Sequence, residues 1–278
     1  PGIIEENKTE EQWFNTFKLS PLFSDKYKAC QMMAEDAILR NDLVALALDD
    51  SYYFFRDFAI NAMMQNMVPA EFVQNIKTKS EKDEHSLVRE SAVRALGSME
   101  VADKTSIYKR ILTNEKAYNV IGEALSQLFM ESPEDALAIG EKLATENTAF
   151  LTNKIASLYA GSGDPQFNGW FTSKIEQSNP YQMFELCSYY NLYLLNQKEE
   201  VQSQAVGMYK DIAKNTEQNK YKRYIGAASL FSFKNLLIAQ QLENGVAHDK
   251  IIEDISRAIK SIKASEKDRE LIERYSEF

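Results

Sequence analysis

Apolar side chains recur at three- and four-residue spacing through almost the whole chain, the period of helices that bury one stripe. Thr9-Glu10-Glu11-Gln12 has the form of a capping box, and Trp13, Phe14 and Phe17 follow at helical spacing. Ser24 is placed to cap the next helix, which carries Tyr27, Cys30, Met32, Met33 and Ala37. A short apolar helix is predicted over 42–48. Four further starts put proline at the first helical position, where its missing N–H costs nothing: Val68-Pro69, Ser132-Pro133, Asp164-Pro165 and Asn179-Pro180. In the second of these, Ser132 reads as the cap and Asp135 as the residue that closes the box. Strand signal is confined to Gly2-Ile3-Ile4, which reads as the tail of a strand from something upstream. The pattern predicts an all-α chain of about a dozen or more helices joined by short turns.

The helices repeat. "DSYYFFRDFAINAMM" from Asp50 aligns without a gap on "DEHSLVRESAVRALG" from Asp83, an offset of 33 residues. Asp50 matches Asp83, Arg56 matches Arg89, Ala59 and Ala62 match Ala92 and Ala95, and Ile60 and Met63 match Val93 and Leu96. A third copy starts 32 residues later at Glu115; it keeps the acid, Ala124 and Leu128, but Ile121 stands in place of the arginine. A fourth, from Asn147, keeps only the apolar rhythm, and the register is lost beyond 165. A helix pair of this length cannot bury its stripe alone, so successive pairs stack, with the alanines allowing close approach.

The six-residue spacing from Asp to Arg, seen twice, resembles the HEAT repeat. That resemblance implies a ladder between adjacent repeats formed by Asp50, Arg56, Asp83 and Arg89, ending at Ile121. The expected fold is therefore an all-α solenoid of HEAT-like antiparallel helix pairs wound into a curved superhelix. Residues 1–8 read as a linker or exit from an absent upstream domain. Residues 9–278 read as one domain, with repeats clearest over 42–165.

Composition narrows the partners. The chain has 278 residues, 41 acidic against 32 basic, a net charge of −9 and a pI near 5.0. Such a surface repels phosphate backbones, which argues against nucleic acid and anionic membranes. No window approaches the ~18–20 apolar residues of a membrane span. A soluble protein is expected, with the compartment open between cytoplasm and periplasm. Cys30 and Cys187 sit among apolar neighbours and are expected to be buried thiols. Asn7-Lys8-Thr9 matches the glycosylation triplet, a single match at chance level.

Little in the chain points to catalysis. His85, His248 and the two cysteines are isolated, with no HExxH, no CxxC and no nucleophile elbow, so no catalytic or metal-binding residue is assigned. Gly161-Ser162-Gly163-Asp164 reads as an interhelical turn, and the many carboxylate pairs as solvated faces. The aromatic runs Tyr52–Phe55 and Tyr189/Tyr190/Tyr193 read mainly as core. Tyr189 and Tyr190 are kept as candidates for a peptide or interdomain contact, together with Lys222 and Arg223 in the basic stretch "NKYKRYIGAASLF".

The stretch "ENKTEEQWFNTFKLSPLFSDKYKA", Glu6–Ala29, resembles the entry into the C-terminal helical domain of zinc aminopeptidases of the aminopeptidase N family, with Ser20-Pro21-Leu22-Phe23-Ser24-Asp25-Lys26-Tyr27 as the matching core. The resemblance implies a non-catalytic domain that caps the catalytic cavity and limits peptide access. Its partners would be an upstream catalytic domain and the peptide substrate. Zinc would belong to that absent domain, with no cofactor in this chain, which alone would be inactive. The other expectation is a free-standing HEAT-type scaffold that binds a protein partner through its concave face.

Overall fold

A computed structural model describes residues 9–36, 39–64, 70–145 and 148–276. The expected linker over 1–8, the first two residues of the glycosylation triplet, Ala37 and the Val68-Pro69 start lie outside the described residues. Among those described there are sixteen α-helices and no strand, stacked as a HEAT-like helical solenoid. None of these helices is long and apolar enough to cross a membrane. The chain folds as two compact units, Pro1–Ala136 and Leu137–Phe278.

In the first unit, α1 (Glu10–Leu19) pairs with α2 (Phe23–Glu35), α3 (Leu39–Ala47) with α4 (Tyr53–Met63), α5 (Val73–Lys82) with α6 (Ser86–Gly97), and α7 (Lys104–Asn114) with α8 (Tyr118–Glu131). The second helix of each pair packs on the next, α2 on α4, α4 on α6 and α6 on α8. The repeat residues explain why. Ala59, Ala62, Ala92, Ala95 and Ala124 are buried where helices meet, and Ile60, Met63, Val93, Leu96 and Leu128 fill the layer between them. Each large side chain buried there contributes about 1.5–3 kcal/mol.

The helix starts follow local chemistry, with small differences from expectation. The capping box at Thr9 is formed: Thr9 Oγ1 accepts from the Gln12 amide at 3.4 Å, and Gln12 Oε1 accepts from the Thr9 amide at 2.7 Å. Ser24 is not the cap of α2. The helix has already begun at Phe23, because Ser20 Oγ accepts from the Leu22 amide at 3.2 Å and donates to Asp25 Oδ2 at 2.9 Å. The helix expected over 42–48 is Leu39–Ala47, entered through Asp36, whose carboxylate accepts from the Leu39 amide at 3.2 Å. Ser132 precedes α9 (Pro133–Leu143), and its hydroxyl donates to Asp135 Oδ2 at 2.6 Å.

The second unit holds α10 (Ala149–Ser162), α11 (Asn168–Gln177), α12 (Pro180–Leu194), α13 (Glu199–Lys214), α14 (Lys220–Asn244), α15 (Asp249–Ser265) and α16 (Arg269–Tyr275). Pro165 opens a single 3₁₀ turn, Pro165–Phe167, that leads into α11. Here α10, α12, α14 and α16 pack in succession, and α13 packs on α14 and α15. The core is built from tyrosines. Tyr190, Tyr193 and Tyr209 are each almost fully buried, and each keeps a partner for its hydroxyl. Tyr190 donates to Asn168 Oδ1 at 2.7 Å, Tyr193 to the Asp164 carbonyl at 3.0 Å, and Tyr209 to Asn191 Oδ1 at 2.9 Å. The Asn191 amide in turn donates to the Ser229 carbonyl at 3.0 Å, tying α12 to α14.

Close approach of α13 and α14 depends on Gly226. A Cβ there would lie 2.9 Å from the Tyr209 carbonyl oxygen and 3.2 Å from the Ala213 nitrogen, both backbone atoms that cannot rotate away. Gly207, midway along α13, has open space around the same position. Gly226→Ala is therefore expected to destabilise the chain by about 1–3 kcal/mol through overpacking. Gly207→Ala should leave stability unchanged or raise it by up to about 1 kcal/mol. Urea unfolding of the two variants checks the contrast, and equal midpoints would refute the close-approach account.

Candidate functional site

The charged residues of the first unit form a continuous ladder. Asp50, Asp83 and Glu115 each lie three residues before the start of α4, α6 and α8, and the cation that meets each of them is the fourth residue of the preceding second helix. Lys26 Nζ reaches Asp50 Oδ2 at 2.8 Å, seated over the rings of Phe17 and Phe55. Arg56 grips Asp83 with two bonds, Nε to Oδ2 at 2.9 Å and Nη2 to Oδ1 at 2.8 Å. Arg89 grips Glu115 in the same way, at 2.7 and 3.0 Å.

Each guanidinium also closes its own turn. Arg56 Nη1 donates to the carbonyls of Asp50 and Ser51, at 2.9 and 3.1 Å, and Arg89 Nη1 to those of Asp83 and Glu84, at 2.7 and 3.2 Å. The acids accept backbone amides as well: Asp83 that of His85, and Glu115 those of Lys116 and Ala117. Ile121, the fourth residue of α8, is buried and apolar. His85 is the N-cap of α6, its Nδ1 accepting from the Leu87 amide at 3.4 Å, and its ring stacks on Tyr53 at 3.6 Å between centroids.

These contacts move the acids' titration. Burial alone pushes the Asp83 carboxyl up, but the Arg56 hydrogen bonds, the His85 amide and the charges of Arg56 and Lys79 outweigh it and hold the group below the ordinary Asp value. Glu115 is lowered on the same balance, with Arg89 and two amides opposing burial.

A second polar row crosses α4, α6 and α8. Asp57 Oδ1 accepts from Ser91 Oγ at 2.5 Å, and Glu90 Oε2 from Asn119 Nδ2 at 2.7 Å. Arg94 bonds Glu90 at 2.9 Å and lies 3.5 Å from Glu123, which also accepts from Gln127 Nε2 at 3.0 Å. By i, i+3 and i, i+4 spacing, Phe54 and Phe58 share this stripe on α4, Leu87 on α6 and Met130 on α8. Phe54 and Phe58 are half-buried, whereas Leu87 is 44% and Met130 79% exposed.

The candidates in the second unit fall in different places. Tyr189 is half-buried, and Tyr190 belongs to the tyrosine core. Lys222 lies beside a surface pocket of about 480 Å³ lined also by Met183, Met208 and Asp211, and its Nζ reaches the Glu176 carbonyl at 3.4 Å. Arg223 is buried, paired through Nη2 with Glu266, and its Nε donates to the Ala213 carbonyl at 3.3 Å. The rest of the basic stretch meets the C-terminal helix: Lys220 pairs with Glu270, and Tyr224 lies parallel to Tyr275 with Arg274 over its ring. Arg223 is the fourth residue of α14 and Glu266 lies three before α16, the geometry of the first unit's rungs. The six-residue acid-to-arginine spacing recurs here as Glu217/Arg223 and marks this arginine in the sequence. Among the described residues no group of three or more His, Cys, Asp or Glu could hold a metal ion, and Cys30 and Cys187 are buried and free.

No family model matches the chain, and no curated protein matches it. Solved structures do. YibA of Escherichia coli superposes with a TM-score of 0.52 at 12% identity, over 93% of this chain and 97% of that one. A chain from the complex of CpcE and CpcF of phycocyanin lyase from Nostoc sp. PCC7120 superposes with a TM-score of 0.48 at 13% identity, over 94% and 97%. The likeness to YibA is one of fold: this chain is an all-α, HEAT-like helical stack.

The aminopeptidase resemblance is overturned. YibA, which the chain matches in fold, is a HEAT-repeat helical protein, and neither it nor any other comparison supports an aminopeptidase domain. The physical reason is local. Ser20–Tyr27 is the turn between α1 and α2 together with the first residues of α2, and its serine, proline and aspartate are what a tight helix start requires, so the match reports capping chemistry.

Losing one partner of a buried ion pair costs about 3–5 kcal/mol. Arg56→Ala, which strands Asp83 and two turn carbonyls, should cost that much, whereas Arg269→Ala, at an exposed pair with Glu273, should leave the unfolding midpoint unchanged. Equal midpoints would sink the ladder's structural weight. The pH dependence has a definite sign. Asp83 and Glu115 are lowered in the folded chain, so their contribution is complete above the unfolded carboxylate pKa of about 4 and fades as pH falls through the folded values. Thermal melts below about pH 4 should therefore drop steeply for the wild-type chain, and less steeply for the double variant Asp83→Asn/Glu115→Gln.

Proposed function

We propose that this chain is a HEAT-type scaffold that binds a protein partner on the face formed by α4, α6 and α8. The observation that carries the reading is the uncovered stripe on these helices, where Leu87 and Met130 stay open to solvent beside half-buried Phe54 and Phe58. Apolar side chains rimmed by polar ones are the composition of an interface core before its partner arrives. Stacked helices held rigid by the ladder would present that stripe with little ordering cost on binding.

The test compares capture of partners from a lysate of the source cell by the wild-type chain and by Leu87→Ser/Met130→Ser, both with the same melting temperature. A partner retained by the wild type should be lost about tenfold or more in the variant. Equal capture by both chains removes this face from consideration.

A further inference from the structure

The second unit ends on a helix face that its last layer covers only in part. α14 has 25 residues, and α16, which packs on it, has seven. α16 meets the start of α14: Glu270 pairs with Lys220, and Tyr275 and Arg274 lie against the Tyr224 ring. Helical spacing puts Phe231, Lys234, Ile238 and Leu242 on the stripe of α14 that begins at Tyr224. Phe231 is half-buried, but Ile238 is 37% and Leu242 82% exposed. The last layer of a helical stack needs a polar outer face to stay soluble, and this stripe departs from that rule.

The flank of the stripe carries charge. A groove of about 440 Å³ lies between Phe231 and Lys234 of α14 and Lys260 and Lys263 of α15, with Glu253 and Arg257 also on its wall. Arg257 is held by Glu253 and Asp254. Lys234 and Lys260 form no ion pair among the described residues. The groove is therefore basic in a chain whose net charge is −9. We infer that this slot docks an acidic amphipathic helix of a partner protein, laid along α14 beyond α16. The surface is separate from the face of α4, α6 and α8, and the inference does not rest on that reading. A helix is the form that fits, because the slot continues the row in which α12, α14 and α16 pack in succession. From Phe231 to Leu242 the stripe is about 16 Å long at 1.5 Å per residue, three turns of a partner helix. Apolar side chains of that helix at i, i+3/i+4 and i+7 would meet Phe231, Ile238 and Leu242. Lys260 and Lys263, three apart, stand one above the other on α15, so carboxylates at i and i+3 or i+4 on the partner's flank would face both. Lysine stems can lie along the apolar contacts while their ammonium groups reach those carboxylates.

The probe is a fluorescent peptide of about 18 residues with a leucine stripe and glutamates along one flank. It is stapled into a helix, since an isolated helix of this length is marginal in water. Anisotropy against the full chain should show saturable binding that weakens as salt rises, because charges beyond about 10 Å are screened at 0.1 M. The double variants Lys234→Gln/Lys260→Gln and Ile238→Ser/Leu242→Ser, both at surface positions, should each bind about tenfold more weakly or worse. Lys142→Gln, which removes an exposed lysine at the end of α9, should bind as the wild type does. The same peptide with glutamine for glutamate, or with its leucines scrambled off the stripe, should bind worse than the parent. Absent binding, equal binding of the scrambled peptide, or a loss in Lys142→Gln as large as in the lysine pair overturns the inference. So does self-association of the chain in light scattering that Ile238→Ser/Leu242→Ser abolishes, which would give the slot to a second copy.

Discussion

A guanidinium that reaches in two directions at once organises the first unit. Arg56 and Arg89 each hold a carboxylate of the next repeat with two bonds and two carbonyls of their own turn with others. The turn before a helix is where backbone carbonyls and amides lack helical partners. The rung satisfies these groups and the buried charges together, which is the condition under which a desolvated ion pair holds a structure rather than straining it. Apolar packing between pairs is generous in sliding and rotation; the rung is directional, and so fixes the register at which each pair meets the next. The stripe on α4, α6 and α8 owes its alignment to that register.

The second unit meets the same requirement with different means. Its rung, Arg223 to Glu266, joins α14 to the turn before α16, and buried tyrosines and Asn191 carry further polar contacts between its helices. Burial pushes the Tyr193 hydroxyl up to about 12, so it stays a neutral donor across the ordinary pH range. Neutral networks of this kind orient helices without the desolvation cost of a charge, provided that every member has a partner.

Much of this was legible from residue spacing. Helix identity, the stacking alanines and the pairs Asp50/Arg56 and Asp83/Arg89 follow from periodicity, because a fixed repeat imposes fixed intervals. Lys26 was hidden since it takes the arginine's place and Ser20 stands where the acid would be. Arg223 stands among the contact candidates rather than the rungs because its repeat is long: α14 has 25 residues, and Glu217 to Glu266 spans 49 where Asp50 to Asp83 spans 33. A search at constant offset fails there, while the six-residue interval within the repeat survives. The charged stripe was invisible for another reason. Asp57, Glu90 and Glu123 are ordinary acids in sequence, and only the stacking of three helices sets them in a row. The aminopeptidase likeness shows the converse hazard, since a helix turn written in common capping residues looks specific.

Each repeat of the ladder accepts one cation from the layer before and offers one to the layer after. The arrangement is therefore closed under deletion. Excising the 32 residues from Asp83 to Asn114 would leave Arg56 facing Glu115, an acid already set three residues before its helix, with no buried charge stranded. Where the series stops, at Ile121 and again at Ile272, the terminal residue is apolar and strands no charge either. Chains built this way can gain or lose whole layers during evolution without passing through an intermediate that carries an unpaired ion in its core.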